Sequence, residues 1–304
     1  MMPQNQSLTR ELFLLLLLAT LWGASYTFIK IGVETIPPVT LIAARTLIAG
    51  GILLAVLRRR HIHMPHDRAT WQRFFFQASM NSAVPFTLIA WAEKSTDAGL
   101  AAILNSATPI FTFLLTVVIT RHEQVTLRKL FGVMAGLAGI CLVIGVEALG
   151  GLGESLMAQL AIILATICYA GAAIFGKNFK GLDPMVPAAG SLISGAAILI
   201  PVSLFVDRPW TLHPSVESML ALLALAIFST ALAFTIYFRL VQTLGSVGTT
   251  SQAYLRVPIG VAIGVIFLGE TLGPMAWVGL VCVISGVAAM TIPAKAGTTL
   301  ARGA

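Results

Sequence analysis

The sequence predicts an all-α membrane protein with ten spanning helices in two related halves. Three observations carry this prediction. Hydrophobic residues make up 57% of the 304 residues and charged residues only 10%, with a mean hydropathy of +0.91. A soluble domain carries about 25% charged residues, so the charges here are too few to coat a water-facing surface of this size. Second, Lys and Arg gather on one side of the predicted topology. Third, landmarks of the first half recur in the second at a near-constant offset.

A bilayer core of about 30 Å needs about 20 apolar residues per helix. Ten segments meet this, roughly 12–33, 38–57, 73–92, 98–120, 128–147, 156–176, 184–206, 217–239, 245–268 and 273–292. The first follows Arg10 and stays apolar past Phe28, with no cleavage site of small residues, so it reads as a retained span and not as a signal peptide. Helix-stopping or polar residues mark the joins: Pro37-Pro38, the stretch from Arg58 to Arg73, Ser95-Thr96-Asp97, His122-Glu123, Gly150-Gly151, Asp183-Pro184, Asp207-Arg208-Pro209 and Gly269-Glu270. Cys141, Cys168 and Cys282 fall far apart in apolar runs and read as small packing residues, not as a disulfide framework or metal site.

The net charge of +7 would suggest nucleic acid in a soluble protein. Here its placement reports topology, and no nucleic acid partner is expected. With a cytoplasmic N-terminus, the inner side receives Arg10, Arg58, Arg59, Arg60, Arg68, Arg73, Arg121, Arg128, Lys129, Lys177, Lys180, Arg239, Lys295 and Arg302, which is fourteen of the 19 basic residues. The outer side receives Lys30, Lys94 and Arg208, and Arg45 and Arg256 fall within helices. One missed helix would scramble this bias. Both termini are therefore expected on the cytoplasmic side of a multi-pass protein of the cell inner membrane.

Leu18-Ala19-Thr20 recurs as Leu164-Ala165-Thr166, and Pro38 as Pro184, at an offset of 146. Glu123, Gly132 and Gly139 match Glu270, Gly279 and Gly286 at 147, and Pro109 matches Pro258 at 149. Each half holds five helices, an odd number, so the second copy must sit upside down relative to the first. Glu123 has Arg121, Arg128 and Lys129 as neighbours, whereas Glu270 has no basic neighbour, as an outer loop should. The expected organisation is a cytoplasmic segment 1–11, a first repeat 12–147, an outer linker 148–155, an inverted second repeat 156–292 and a cytoplasmic tail 293–304. Inverted repeats recur in secondary transporters, with substrate bound between them near the midplane.

Leu21-Trp22-Gly23-Ala24-Ser25, Arg45 and the Pro-then-Glu pattern ending each half (Pro109…Glu123; Pro258…Gly269-Glu270) resemble the EamA-type branch of the drug/metabolite transporter superfamily. The resemblance runs from about residue 12 to 292. Within that branch the chain is most similar to the YddG-type exporters of aromatic amino acids. It implies two inverted five-helix repeats around a central cavity, and export of small metabolites, including aromatic amino acids and some toxic organic compounds. One departure stands out: the second-half counterpart of Trp22-Gly23 is Cys168-Tyr169, which confines any role of that motif to the first half.

Arg256 is the sharpest candidate residue. A charged side chain at the bilayer centre costs ~2.5–3.5 kcal/mol on insertion scales, so it should face the interior. It could grip a substrate carboxylate with two hydrogen bonds, or bond structurally to carbonyls freed by Pro258. Arg45 lies about two turns from the outer end of its helix, where it can snorkel to the interface and serve structure. All 12 Asp and Glu residues fall in loops or near helix ends, Glu34 and Glu93 being nearest the core. Small multidrug transporters of the resembled superfamily exchange cations for protons on a membrane-embedded Glu, and no carrier for that mechanism is visible.

Pro85, Pro109, Pro201 and Pro258 interrupt predicted helices, each removing a backbone donor. Pro109 and Pro258 occupy equivalent places and are candidate hinges, although proline is generally common in spanning helices. Substrate-binding candidates are Trp22, Tyr26, Asn81, Phe86, Asn105, Ser106, Tyr169, Phe234, Tyr237, Gln252, Tyr254 and Arg256. Aromatic rings offer stacking faces to a planar substrate at modest entropic cost, and Asn is costly against lipid. The competing role for each ring is packing, or an interfacial belt for Trp91 and Tyr237. Gly132-x-x-x-Gly136 and Gly260-x-x-x-Gly264 read as close helix contacts.

His61, His63, His66, His122 and His213 all fall in loops, and the cluster among arginines reads as a solvated, headgroup-facing loop. There is no nucleotide-binding loop, and no cofactor is expected. The sequence therefore predicts a non-enzymatic secondary transporter that exports small organic metabolites by alternating access, amino acids first and aromatic ones foremost. Its partners are the small-molecule substrate and membrane lipid; the oligomeric state stays open. Another amino acid, a nucleotide sugar or a drug-like compound are the alternative cargoes. An integral-membrane lipid enzyme would need clustered catalytic residues that the sequence does not offer.

Overall fold

The computed structural model of the chain describes residues 4–92, 104–119, 126–144, 152, 155–256, 258–259 and 274–292. The sequence features at Glu93 to Asp97, Arg121 to Glu123, Gly150-Gly151, Gly260 to Glu270, Lys295 and Arg302 lie outside the described residues. Among the described residues all regular structure is helical.

The first half comprises α1 (Gln4–Gly32), α2 (Pro38–Arg59), α3 (Arg68–Ala78), α4 (Val84–Ala92), α5 (Thr108–Ile119) and α6 (Leu127–Ile144). The second comprises α7 (Leu156–Phe175), α8 (Met185–Val206), α9 (Val216–Ala226), α10 (Ala233–Thr243), α11 (Gly245–Thr250) and α12 (Pro274–Thr291). Leu8–Ser25, Pro38–Arg59, Leu156–Phe179, Met185–Val206 and Val216–Thr243 are long and apolar enough to cross a bilayer, and Thr108–Val118 and Trp277–Thr291 are shorter apolar helices. Phe13, Phe131, Phe205 and Trp277 turn outward as an apolar surface, which fits lipid better than water.

Local chemistry sets the boundaries. Pro38 opens α2, where its missing N–H costs nothing. The Asp67 carboxylate caps α3 by accepting from the Thr70 N–H at 2.7 Å, and hydrogen bonding from Thr70 holds this carboxyl below its ordinary range. Ser215 caps α9 in the same way. The helix starting at Gln4 takes in most of the segment that sequence assigned to a cytoplasmic tail. The single helix expected over 98–120 is broken by a turn at 106–107, and Pro109 stands in the first turn of α5. The helix expected over 245–268 breaks at Ser251 and resumes over 252–256.

Two helices carry a feature that no sequence pattern announced. A π-helical turn, Ser79–Ala83, joins α3 to α4, and a second, Ile227–Leu232, joins α9 to α10. They occupy the same place in the two halves. Pro85 follows the first turn, so part of its irregularity has a plain cause in the lost backbone donor.

Equivalent helices of the two halves pack against each other and run antiparallel. A methyl group added to Gly132 would lie 2.6 Å from the carbonyl oxygen of Gly286, and one on Gly139 would lie 2.6 Å from that of Gly279. These contacts cross α6 on α12 in reversed order. Likewise Thr40 at the start of α2 donates from its N–H and hydroxyl to Asp207 at the end of α8, at 2.9 and 2.8 Å, while Gly50 meets Ile193. The first helix of each half packs on the third of the other. Ser218 and Ser229 donate to the carbonyls of Ile31 and Leu21, both at 2.8 Å, and Gln77 donates to that of Ala172 at 3.2 Å.

The two ends of the bundle differ. One gathers the arginine-rich loop after α2, whose Ile62 and Met64, like Trp71, Leu182 and Met185, pack against the buried core. The other gathers the α1–α2 turn and the segment before α9, where the Ser215 N–H donates to the Thr35 hydroxyl at 3.1 Å.

Close backbone approach at α6–α12 makes these glycines intolerant of bulk. Gly139→Val should destabilise the protein by ~1–3 kcal/mol through overpacking, read as a lower Tm in detergent. Gly51→Ala, with nothing within 4 Å of the added methyl, should leave Tm unchanged or slightly raised.

Candidate functional site

Helices α1, α2, α4, α7 and α10 and the segment 252–256 surround a cavity of about 1050 Å³, its open mouth included. It extends from Trp22 and Tyr237 within the bundle to Val33 and Pro38 at the end holding the α1–α2 turn. Trp22, Asn81, Phe86, Asn105, Tyr169, Phe234, Tyr237, Gln252 and Arg256, all singled out from sequence, lie in its wall. The side chain of Tyr26 is outside the described residues.

Two sequence candidates lie elsewhere. Ser106 is buried but does not line the cavity. Tyr254 is fully buried; its hydroxyl donates to the Val133 carbonyl at 3.0 Å, and its ring fills the space that a side chain at Gly136 would take. Its helix turns it toward α6, away from the cavity that Ala253 and Arg256 face, so it is a packing residue. Trp91 is exposed on the outer surface. Tyr237 is not at an interface: it is buried in the cavity wall.

Arg256 is held by its own turn and by a ring. Its Nε donates to Gln252 Oε1 at 3.0 Å, and its guanidinium lies 5.4 Å from the centre of the Trp22 ring, a cation–π distance. Trp22 in turn packs on Tyr237 at 5.6 Å and edge-on to Phe234 at 6.2 Å.

Arg45 corrects the sequence reading. It does not snorkel to the outer interface but is 2% exposed and lines the same cavity. Its Nε donates to Thr230 Oγ1 at 2.9 Å, and its guanidinium lies 4.6 Å from the centre of the Phe86 ring. Leu41, Ile42, Arg45, Ala49 and Leu53 form one helical stripe that is buried throughout, which the sequence alone does not single out. In an apolar helix that stripe has no polar face to contrast with it. The π turns serve both sides of this arrangement: one carries Asn81 and the other carries Thr230.

Away from the mouth the cavity ends on a chain of rings in mostly edge-to-face contact. Tyr237 meets Phe238, Phe238 meets Phe179, Phe179 meets Phe74 and Phe74 meets Trp71, at centroid distances of 5.2, 5.8, 5.3 and 5.6 Å. At that end Glu11, 5% exposed, accepts from Arg239 Nη2 at 2.5 Å and from the Thr243 hydroxyl at 2.9 Å, tying α1 to α10. A buried carboxylate therefore exists, contrary to the sequence reading, but it is not a cavity residue.

The sequence pattern of the EamA-like transporter family matches residues 9–145 and again residues 156–292. The chain belongs to the EamA-like transporter family. The double match places one family unit on each half. Curated relatives span nearly the same length. The uncharacterized inner membrane transporter YedA of Escherichia coli (strain K12) is 28% identical over 275 residues, covering 90% of this chain and 87% of YedA. The "Probable amino-acid metabolite efflux pump" of Salmonella typhimurium is 25% identical over 288 residues, covering 90% of this chain and 92% of that protein. A solved crystal structure at 16% identity superposes with a TM-score of 0.77 over 93% of this chain and 97% of that chain, a likeness of fold. This EamA-like chain is thus a multi-pass membrane transporter.

The packing role of Tyr254 has a direct check. Tyr254→Phe should lower stability by ~0.5–1.5 kcal/mol, the net worth of one hydrogen bond, measured by thermal unfolding in detergent. Transport should stay near wild type, because the ring that fills the gap beside Gly136 remains.

Proposed function

We propose that this EamA-like protein is a secondary transporter of the cell inner membrane that exports small organic metabolites by alternating access, amino acids first and aromatic ones foremost. The observation that carries the proposal is the convergence of guanidinium, aromatic and amide groups in one cavity open at one end of the bundle. The Arg256 guanidinium would take the substrate carboxylate. Trp22, Phe86, Tyr169 and Phe234 would hold a planar side chain between their faces. Asn81, Asn105 and Gln252 would supply neutral polar contacts. The names of the Escherichia coli and Salmonella relatives, an inner membrane transporter and a probable amino-acid metabolite efflux pump, support the location and the amino-acid cargo.

The topology proposed with this function has ten spans in two inverted five-helix repeats, bounded near 12–147 and 156–292, with both termini cytoplasmic. The antiparallel crossing of α6 on α12 and of α2 on α8 supports inversion. The arginine-rich end is then cytoplasmic, so the cavity faces outward and the chain of rings with Glu11–Arg239 closes the inner side. Alternating access would rock one repeat against the other, with Pro109 and Pro258 as hinges.

Liposomes carrying the purified protein should take up radiolabelled Trp, Phe or Tyr faster than protein-free liposomes. Equal uptake across these and a panel of other amino acids would overturn the cargo. Arg256→Gln should slow uptake at least tenfold, in keeping with ~1.5–3 kcal/mol for a charge-assisted hydrogen bond, while Tm stays near wild type. Unchanged transport would mark Arg256 as structural.

A further inference from the structure

Arg45 is a charge in the wrong place for stability alone. A buried guanidinium needs hydrogen bonds or an opposite charge to offset its lost hydration. Here Nε is satisfied by Thr230 and one face of the group by Phe86. Among the described residues, the structure gives its two amino groups no protein partner. A second donor in the same wall is also idle: Asn81 is 4% exposed, and its Nδ2 is buried without a hydrogen-bond partner. Idle buried donors of this kind call for an acceptor that the protein itself does not provide. The rest of the wall points the same way. It carries a second guanidinium, that of Arg256, and among the described lining residues there is no carboxylate. Near the π turn that presents Asn81, the ring of Phe86 also meets Tyr169 at 6.3 Å, an aromatic surface beside the Arg45 guanidinium.

We propose that Arg45 and Asn81 form an anion-binding subsite, and that the cavity selects small organic acids of net negative charge over zwitterions. The cargo class is a carboxylate attached to a planar apolar body and lacking a free ammonium, such as an amino acid whose amino group is acylated or absent. The proposal rests on the transporter reading of the same cavity and shifts its preferred cargo from free aromatic amino acids to their acylated or deaminated counterparts. The physical reason is simple. A free ammonium would meet the fixed positive charge of Arg45 in a low-dielectric space, where repulsion is weakly screened. A carboxylate gains from the same field. Acylation of the amine removes the penalty and keeps the carboxylate. Loss of the carboxylate removes the gain and leaves only the penalty.

Four probes separate these terms at pH 7.5: L-phenylalanine, N-acetyl-L-phenylalanine, 3-phenylpropanoate and 2-phenylethylamine. Binding to the full-length protein in detergent is read by calorimetry, and transport by uptake into proteoliposomes. The two acids should bind at least tenfold tighter than phenylalanine, and the amine should not bind. Arg45→Gln should weaken the acids at least tenfold and shrink their advantage over phenylalanine. Asn81→Asp keeps Arg45 and supplies a competing carboxylate, so it should have the same effect even if the Arg45 variant fails to fold. Phenylalanine binding as tightly as the acids would overturn charge selection, while its continued transport would leave the carrier reading intact. Unchanged acid affinity in both variants would overturn the subsite. No binding or uptake of any probe would overturn both the subsite and the carrier reading.

Discussion

Positive charge inside an apolar bundle is the constraint around which this structure is arranged. A guanidinium cannot be left bare in such a place, and the helices that surround Arg45 and Arg256 depart from regularity to meet them. Thr230 reaches Arg45 from a π turn. Asn81 reaches the same cavity from the equivalent π turn of the other half. Arg256 leans on Gln252 one helical turn away and on the face of Trp22. An extra residue in a helix costs backbone regularity, and such turns persist mostly where function needs them. Here each one brings a polar side chain to the interior from a helix that is otherwise apolar.

The frame that tolerates these departures is closely packed elsewhere. α6 and α12 approach until backbone meets backbone at two glycine pairs. α2 and α8 are tied at one end by Asp207 and interleave at Gly50. Hydroxyl groups of Ser218 and Ser229 bond to carbonyls of a neighbouring helix, where lipid tails could not serve. In a bilayer such contacts and close packing replace the hydrophobic effect as the force that joins helices. The outcome is a set of closely packed helix pairs, one of which, α2 with α8, also supplies Arg45 to the wall of the open cavity.

Much of this was legible in the sequence because lipid imposes strict rules. Spans must be apolar and long, and that marks Pro38 to Arg59 or Met185 to Val206 with little ambiguity. Asn81, Asn105 and Gln252 had to turn inward, since amide groups facing lipid are costly, and they do. What stayed hidden depends on helix rotation and on local backbone. Lipid-facing and protein-facing residues are both apolar, so nothing in α2 announces which way Arg45 points. Tyr254 and Arg256 stand two residues apart and therefore on different sides of their helix, and only packing against Gly136 shows which side meets the cavity. Glu11 was read as a tail residue because the apolar run begins after it; its burial follows from Arg239, far away in sequence.

The paired glycines carry a consequence for how such a protein can change over time. At Gly132–Gly286 and Gly139–Gly279 the residues on both sides are already the smallest available. Growth on one helix cannot be offset by shrinkage on the other, because there is nothing left to remove. Along the cavity the two halves differ, as Trp22-Gly23 and Cys168-Tyr169 do. At the crossing they do not, for each copy is the mould of the other. The two halves thus share one seam where neither can change in size without the other, and a lining where their residues differ.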